Sequence, residues 1–403
     1  MVLLGGGVLA CRSGAFPDVP PGYREYAYIS NGGSNTVTVL DLVFLRADRT
    51  LQVGQDPTGM AANPKRNEVY VVNTRSGSVS VIDAAVNRVV ATIPVRRQPY
   101  AISVDAEGRR AYVANAGSNS VSVIDLDQRR EVLALPAGEQ PGLARISPDM
   151  RSVVVTNRGS GSVSIYSTNA ATGAATGGAA DGGSAAKAAE PALRFRTTIP
   201  GCPGATDAVI LPDSSKVFVA CSGGHQVMAV NLAAAANGWA AKGNPSLMSD
   251  RLLAMLDVGA GPVHLALKPD GGEIFVSNFD SDSISEIATG TNEVGGTYTI
   301  AKRPAGAVVS DDNGTLWISN FGADSVSLYS IDDGKPTGSV RTGSSPDALA
   351  FSADEHLLLA ADAGSGDVAV IRTRGRQGPT LFTMLPVGSK PNGILVKAIE
   401  VKK

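Results

Sequence analysis

This 403-residue sequence predicts an all-β protein, an eight-bladed β-propeller of four-stranded antiparallel blades. Three observations predict it. One motif returns at a constant step along the chain. Each copy breaks into four short strand-like segments. The last segment has the pattern of an inner strand that the first copy lacks.

Two markers set the step. An Asn follows the first apolar run at Asn31, Asn73, Asn115 and Asn157, 42 residues apart each time. Later copies place Cys221, Asn278, Asn320 and Asp362 at that position. A proline marks the other end of the unit at Pro57, Pro99, Pro141, Pro262, Pro304 and Pro346, with Ala205 in its place once. Proline marker to Asn marker is 16 residues in all seven cases. The return distance is 26 in five, and three insertions of 22, 15 and 3 residues account for the others. Residues 26–401 then hold eight units, with seven blades as the fallback count.

One unit shows the four strands. In Pro99–Ala137 they are YAISVD, RRAYVANA, NSVSVID and REVLALP. Val, Ile and Tyr alternate with Ser and Thr, the pattern of half-buried strands. Glu107-Gly108, Pro148-Asp149, Pro269-Asp270-Gly271 and Asn313-Gly314 supply turns. The connections are too short for helical crossovers, so the strands meander antiparallel. The first unit opens on what is the second strand elsewhere. Pro391–Val401, PNGILVKAIEV, supplies its missing inner strand, so both ends of the chain build one blade.

The lines VYVVNTRSGSVSVID, AYVANAGSNSVSVID and VVVTNRGSGSVSIYS resemble the YVTN-repeat β-propellers. The resemblance covers residues 26–401 and is most specific in the first four units. It implies an exported bacterial or archaeal propeller of seven or more blades, in a superfamily that includes lactonases.

Residues 1–25 are expected to be an export signal remnant and tether, and 26–403 the propeller domain. Val8-Leu9-Ala10-Cys11 resembles a bacterial lipobox, which implies lipid on Cys11 and a periplasmic, outer-membrane-tethered or cell-surface protein. Leu9 is bulkier than the usual residue there, and no Lys or Arg precedes the apolar run. A start codon further upstream explains the second departure; a plain apolar N-terminus is the alternative. No run of 18 apolar residues is present, so membrane contact is expected only through the lipid.

The net charge of −2 argues against a nucleic-acid partner. His and Cys number three each, and H-E-x-x-H, C-x-x-C, G-x-S-x-G and Walker signatures are missing. No metal and no cofactor is expected. Asp280-Ser281-Asp282 lacks the further ligands of a calcium loop. Of His225, His264 and His356, only His264 is placed to ligate a haem iron.

Features that recur in every unit read as architecture. The Asn marker is expected to close the loop between second and third strands through local backbone bonds. Asp41, Asp83 and Asp125 end strands as turn formers, as do Asp149, Asp213, Asp270 and Asp311. The positions that break the symmetry follow the proline marker, where inner strands begin. There Tyr100, Asp207, His264, Asp347 and Asn392 stand among small residues. They are the candidate ligand-binding residues of a polar pocket at the tunnel mouth. The alternative is that they only hydrate the tunnel.

Cys202 and Cys221 are expected to form a disulfide, leaving Cys11 as the odd cysteine. Both lie at strand ends on the same face of the ring. Hairpin register places residue 206 opposite Cys221, so Cys202 must fold back to reach it. Two free thiols are the alternative.

The long insertions lie in Ser167–Ala192 and Asn231–Leu252, between third and fourth strands. The first is rich in Ala and Gly and reads as a flexible loop. The second, with Ala233–Ala236, Trp239 and Leu247, allows a short helix. Both fall on the face opposite the loops that enter the inner strands.

The function expected first is a monomeric, non-catalytic scaffold that binds a protein, glycan or small ligand at a loop-bearing face or the tunnel mouth. The alternative is a lactonase-type hydrolase, for which Asp207, His264 and Asp347 are the available groups.

Overall fold

A computed structural model of the chain describes residues 19–168, 192–233, 249–375 and 378–400. Its strands form eight four-stranded antiparallel sheets, and the protein is a β-propeller. Seven sheets use four consecutive strands. In the second blade these are Pro57–Ala62, Glu68–Asn73, Ser78–Asp83 and Arg88–Pro94, from the tunnel outward.

The first blade is built from both chain ends. Tyr23–Asn31 pairs with Pro391–Glu400, Tyr28 opposite Leu395, and Pro391 closes the pair at Asn31. Pro391–Glu400 also packs against the inner strands Pro57–Ala62 and Pro346–Phe351 on either side. The second strand begins at Tyr23, three residues earlier than the repeat alone indicates.

The two sequence markers face each other across the ladder. Pro57 pairs with Asn73, Pro99 with Asn115, Pro262 with Asn278 and Pro346 with Asp362. A bulge follows each of these prolines, so the next residues are freed from strict register. In blade five Ala205, not residue 206, lies opposite Cys221, and the bulge takes up Thr206 and Asp207.

The Asn marker bonds chiefly side chains of the third strand, and Asn115 also donates to the local carbonyls of Val113 at 3.4 Å and Ser120 at 3.3 Å. Asn73 donates from Nδ2 to Ser78 Oγ at 3.1 Å and Ser80 Oγ at 3.0 Å, both on the third strand. Asn31, Asn115, Asn157, Asn278 and Asn320 repeat this fork to the residues five and seven further on. The other end of the amide reaches the incoming loop: Gly54 N–H donates to Asn73 Oδ1 at 3.1 Å. A Cβ on Gly54 would lie 2.6 Å from the Asn73 side chain, which is why glycine stands there.

Second and third strands are buried on both faces, not one; Thr36–Asp41 is buried throughout. Blades stack face to face, and the Ser and Thr of the alternating pattern are buried beneath the Asn fork. The hydrophobic core is therefore a set of layers between blades. Tyr28, Val37 and Val39 of blade one meet Val69, Val71 and Ile82 of blade two.

The Asp turns form as expected: Asp83 Oδ1 accepts from Ala85 N at 2.8 Å and Asp270 Oδ1 from Gly272 N at 2.8 Å. In the turn at 310–314 this role falls to Asp312, which accepts from Gly314 N, rather than to Asp311. Cys202 and Cys221 are disulfide-bonded, with Cα atoms 4.8 Å apart. Cys11 and the bulk of both long insertions lie outside the described residues. The insertions do interrupt the chain between Ser162–Thr168 and Leu193–Pro200, and between Gln226–Asn231 and Arg251–Asp257, the third and fourth strands of their blades.

Candidate functional site

The inner strands line the tunnel, and most of their leading positions are small. Four consecutive blades contribute to one cluster on the tunnel wall. Arg145 lies on the inner strand Pro141–Ile146, Asp207 on Ala205–Ile210, His264 on Pro262–Leu267 and Ala307 on Pro304–Val309. Asp207 Oδ2 is 3.0 Å from His264 Nδ1, and Asp207 Oδ1 is 3.6 Å from Arg145 Nη2. The bulge in blade five turns Asp207 toward this neighbour. Its carboxylate also accepts from Ala208 N at 2.8 Å and Leu265 N at 3.0 Å. The far ring nitrogen of His264, Nε2, is 3.0 Å from Ala307 O.

Both His264 nitrogens thus face acceptors, which favours the doubly protonated ring. Burial alone pushes this histidine down. The Asp207 carboxylate, by hydrogen bond and charge, and the Ala307 carbonyl outweigh it and hold the ring above its ordinary range, against Arg145. Burial likewise pushes Asp207 up, but His264, Arg145 and the Leu265 N–H bring it down to about 2. The pair is an ion pair set into the tunnel wall. Its edges are turned into protein, while about a third of the His264 side chain (36%) stays open.

Asp347 begins the inner strand of blade eight, Pro346–Phe351. It lines the same cavity as His264, about 470 Å³ in volume. Among the described residues its carboxyl has no hydrogen-bond partner. Burial pushes that carboxyl up, and the His264 charge offsets only part of the rise. Gly306 lets the two inner strands approach closely, since a Cβ there would meet the Asp347 backbone carbonyl oxygen at 2.5 Å.

Two further walls of the cavity are Phe279 and Phe321, with ring centroids 5.9 Å apart. Arg303 places its guanidinium 5.4 Å from the Phe279 ring. Each Phe directly follows an Asn marker, where the other units carry Gly32, Thr74, Ala116, Arg158, Ser222 and Ala363. That contrast was a signal available in the repeat. Arg145 was harder to find, because it sits deeper along its strand than the first two positions.

The other candidates lie apart. Tyr100 is exposed in a separate hollow of about 490 Å³, with Arg158 stacked 5.2 Å from its ring. Asn392 spends its amide on the junction of blades one and two: Nδ2 donates to Pro57 O at 3.0 Å and Oδ1 accepts from Ser30 Oγ at 2.7 Å. So Asp207, His264 and Asp347 come together, and Tyr100 and Asn392 do not join them. Among the described residues, no three His, Cys, Asp or Glu side chains cluster as metal ligands. No helix of the described residues is long and apolar enough to cross a membrane.

A model of the lactonase family, described as seven-bladed β-propellers, matches residues 84–182 and 287–387. The chain resembles the propeller lactonases. The two matched segments, just under half the chain, contain Tyr100, Arg145 and Asp347. They leave out Asp207, His264 and Phe279. Against this lactonase model the ring here carries eight blades rather than seven. No curated protein matches the chain.

Several solved structures share the fold. The dihydro-heme d1 dehydrogenase NirN in complex with DHE aligns with TM-score 0.71 and 15% identity, over 92% of this chain and 74% of that one. The Kuenenia stuttgartiensis hydrazine synthase aligns at 0.55 and 20%, over 86% and 92%. A "putative 6-phosphogluconolactonase" from Bacteroides uniformis aligns at 0.58 and 16%, over 93% and 99%. At these identities the likeness is one of fold.

Proposed function

We propose that this chain is an exported, monomeric propeller that binds a small ligand in the cavity between Phe279, Phe321, His264 and Asp347 and performs no chemistry on it. The observation that carries this reading is the break in repeat symmetry. Aromatic rings and a free carboxyl converge on one cavity of about 470 Å³, a size that suits a small molecule better than a protein or glycan. The neighbouring groups are committed to one another. His264 has both nitrogens engaged and Asp207 accepts from three sides, so neither is poised as base or nucleophile. Export is supported by the Cys202–Cys221 disulfide, which belongs to an oxidising compartment, and by the lipobox-like segment ending at Cys11.

A hydrolase is the second reading. The lactonase-family match favours it, as does Asp347, whose carboxyl is free, pushed up by burial and set beside an imidazolium. A haem site, which the NirN name invites, gains less support, because His264 Nε2 is bonded to Ala307 O.

Thermal-shift screening of small metabolites and lactones tests the first reading, with lactone and ester hydrolysis followed in parallel. Ligand-induced stabilisation that Phe321→Ala removes, without turnover, is the expected result. Turnover lost in Asp347→Asn would replace it with the hydrolase.

A further inference from the structure

The cavity that the binding reading rests on has an uneven polar inventory. Among side chains, a ligand there meets a free acceptor and no free donor. His264 shows its ring, but its two N–H groups are spent on Asp207 and on the Ala307 carbonyl. The Ser319 hydroxyl, on the strand behind, donates to the Asp347 carbonyl at 2.6 Å. What remains is the Asp347 carboxyl, half-buried and without a hydrogen-bond partner among the described residues.

The rest of the lining is apolar or aromatic. Phe279 and Phe321 present π-systems that attract a cation. Arg303 lies on Phe279 but is not part of the cavity wall. A carboxylate beside aromatic faces, with no donor to offer, is complementary to a ligand that brings both charge and donors. An anionic ligand would meet Asp347 with repulsion and find no free side-chain N–H in the cavity wall to accept from.

We infer that the ligand of this cavity is a protonated amine carrying an apolar or aromatic body, its ammonium on the Asp347 carboxylate and its body against the packed Phe279–Phe321 pair. Asp347 is the specificity-determining residue. Asp207 and the Ala307 carbonyl take both His264 ring nitrogens, so His264 gives Asp347 no hydrogen bond and leaves that carboxyl for the ammonium.

The test is titration calorimetry on the full chain at neutral pH with three probes of one shape: 2-phenylethylammonium, 2-phenylethanol and 3-phenylpropanoate. The amine should bind at least tenfold more tightly than the alcohol, and the carboxylate more weakly than either. Asp347→Asn should bring amine and alcohol within about twofold of each other while leaving the alcohol unchanged. A carboxylate that binds as well as the amine, or an amine preference that survives Asp347→Asn, overturns the inference. Alcohol or carboxylate binding that Phe321→Ala abolishes, without an amine preference, overturns the ligand class and leaves the cavity as the site. Binding of none of the three overturns the cavity as well.

Discussion

Cys202 stands 19 residues before Cys221, the spacing at which Gly54 stands before Asn73, and the disulfide in blade five occupies the place of the Gly54 N–H to Asn73 Oδ1 bond in blade two. Gly138 and Asn157 make the same bond in blade four at 3.0 Å. One blade thus holds its incoming loop covalently where others hold it by an amide.

This equivalence predicts how blade five responds to reduction. Breaking the disulfide should lower stability by about 3 kcal/mol, the expectation for a loop of this length. The double substitution Cys202→Gly with Cys221→Asn should recover part of that loss by restoring the hydrogen-bonded form. Calorimetric melting with and without reductant checks both. A double variant no more stable than the reduced protein would show that the two clasps are not interchangeable.

Blade eight carries the acidic version of the same position. Asp362 replaces Asn, and Asp367 replaces the Ser or Thr five residues on. Asp362 Oδ2 accepts from Gly343 N at 3.0 Å. Burial, and then the adjacent Asp367 carboxyl, push Asp362 up to about 7. In the unfolded chain it titrates near 4. The folded state therefore holds the extra proton between these values, and stability should fall as pH rises from about 4 to about 7. Asp362→Asn should flatten this dependence and raise the melting temperature at pH 8 by roughly 2–4 °C. Melting curves across that range measure it.

The Asp207–His264 pair has opposite slopes at its two ends. Asp207 is lowered to about 2, so its contribution is present above the unfolded value and is lost as pH falls toward 2. His264 is raised, so its contribution is full below the unfolded histidine value and is lost as pH rises through the folded one. The pair is strongest between about pH 4 and 6.5. Asp207→Asn should cost about 2–3 kcal/mol, less than a fully buried pair because the histidine is partly open. It should also bring the His264 titration, followed by NMR, back below its wild-type value. An unmoved titration would break the assignment.

Removing Pro391–Lys403 takes the inner strand from blade one and the partner from the inner strands on both sides. The truncated chain should not fold cooperatively. Circular dichroism melting of the soluble fraction reads this directly, and a sharp transition near the full-length value would contradict the latch.

The ring was legible because it is written eight times. The Pro and Asn markers are direct ladder partners, as Pro57 and Asn73 show, so their fixed distance reports pairing register. The disulfide was legible because both cysteines fall at strand ends on the same face of the ring. That the Asn closes this loop was legible, but its fork to Ser78 and Ser80 was not, because those serines resemble ordinary strand alternation until blades are stacked. Asp207 and His264 stood out as symmetry breaks, but their mutual bond depends on a bulge that strand periodicity does not encode. Arg145 and the Phe279–Phe321 pair reach the site from other depths and loops, which only the curvature of the ring brings together.

The account turns on one cavity being the place where this propeller meets its ligand. A crystallographic fragment screen on the full chain tests that most directly. Fragments should collect between Phe279, Phe321 and Asp347, with amine-bearing members oriented toward the carboxyl. Fragments that gather instead in the Tyr100 hollow or at the outer rim, with this cavity left empty, would contradict it.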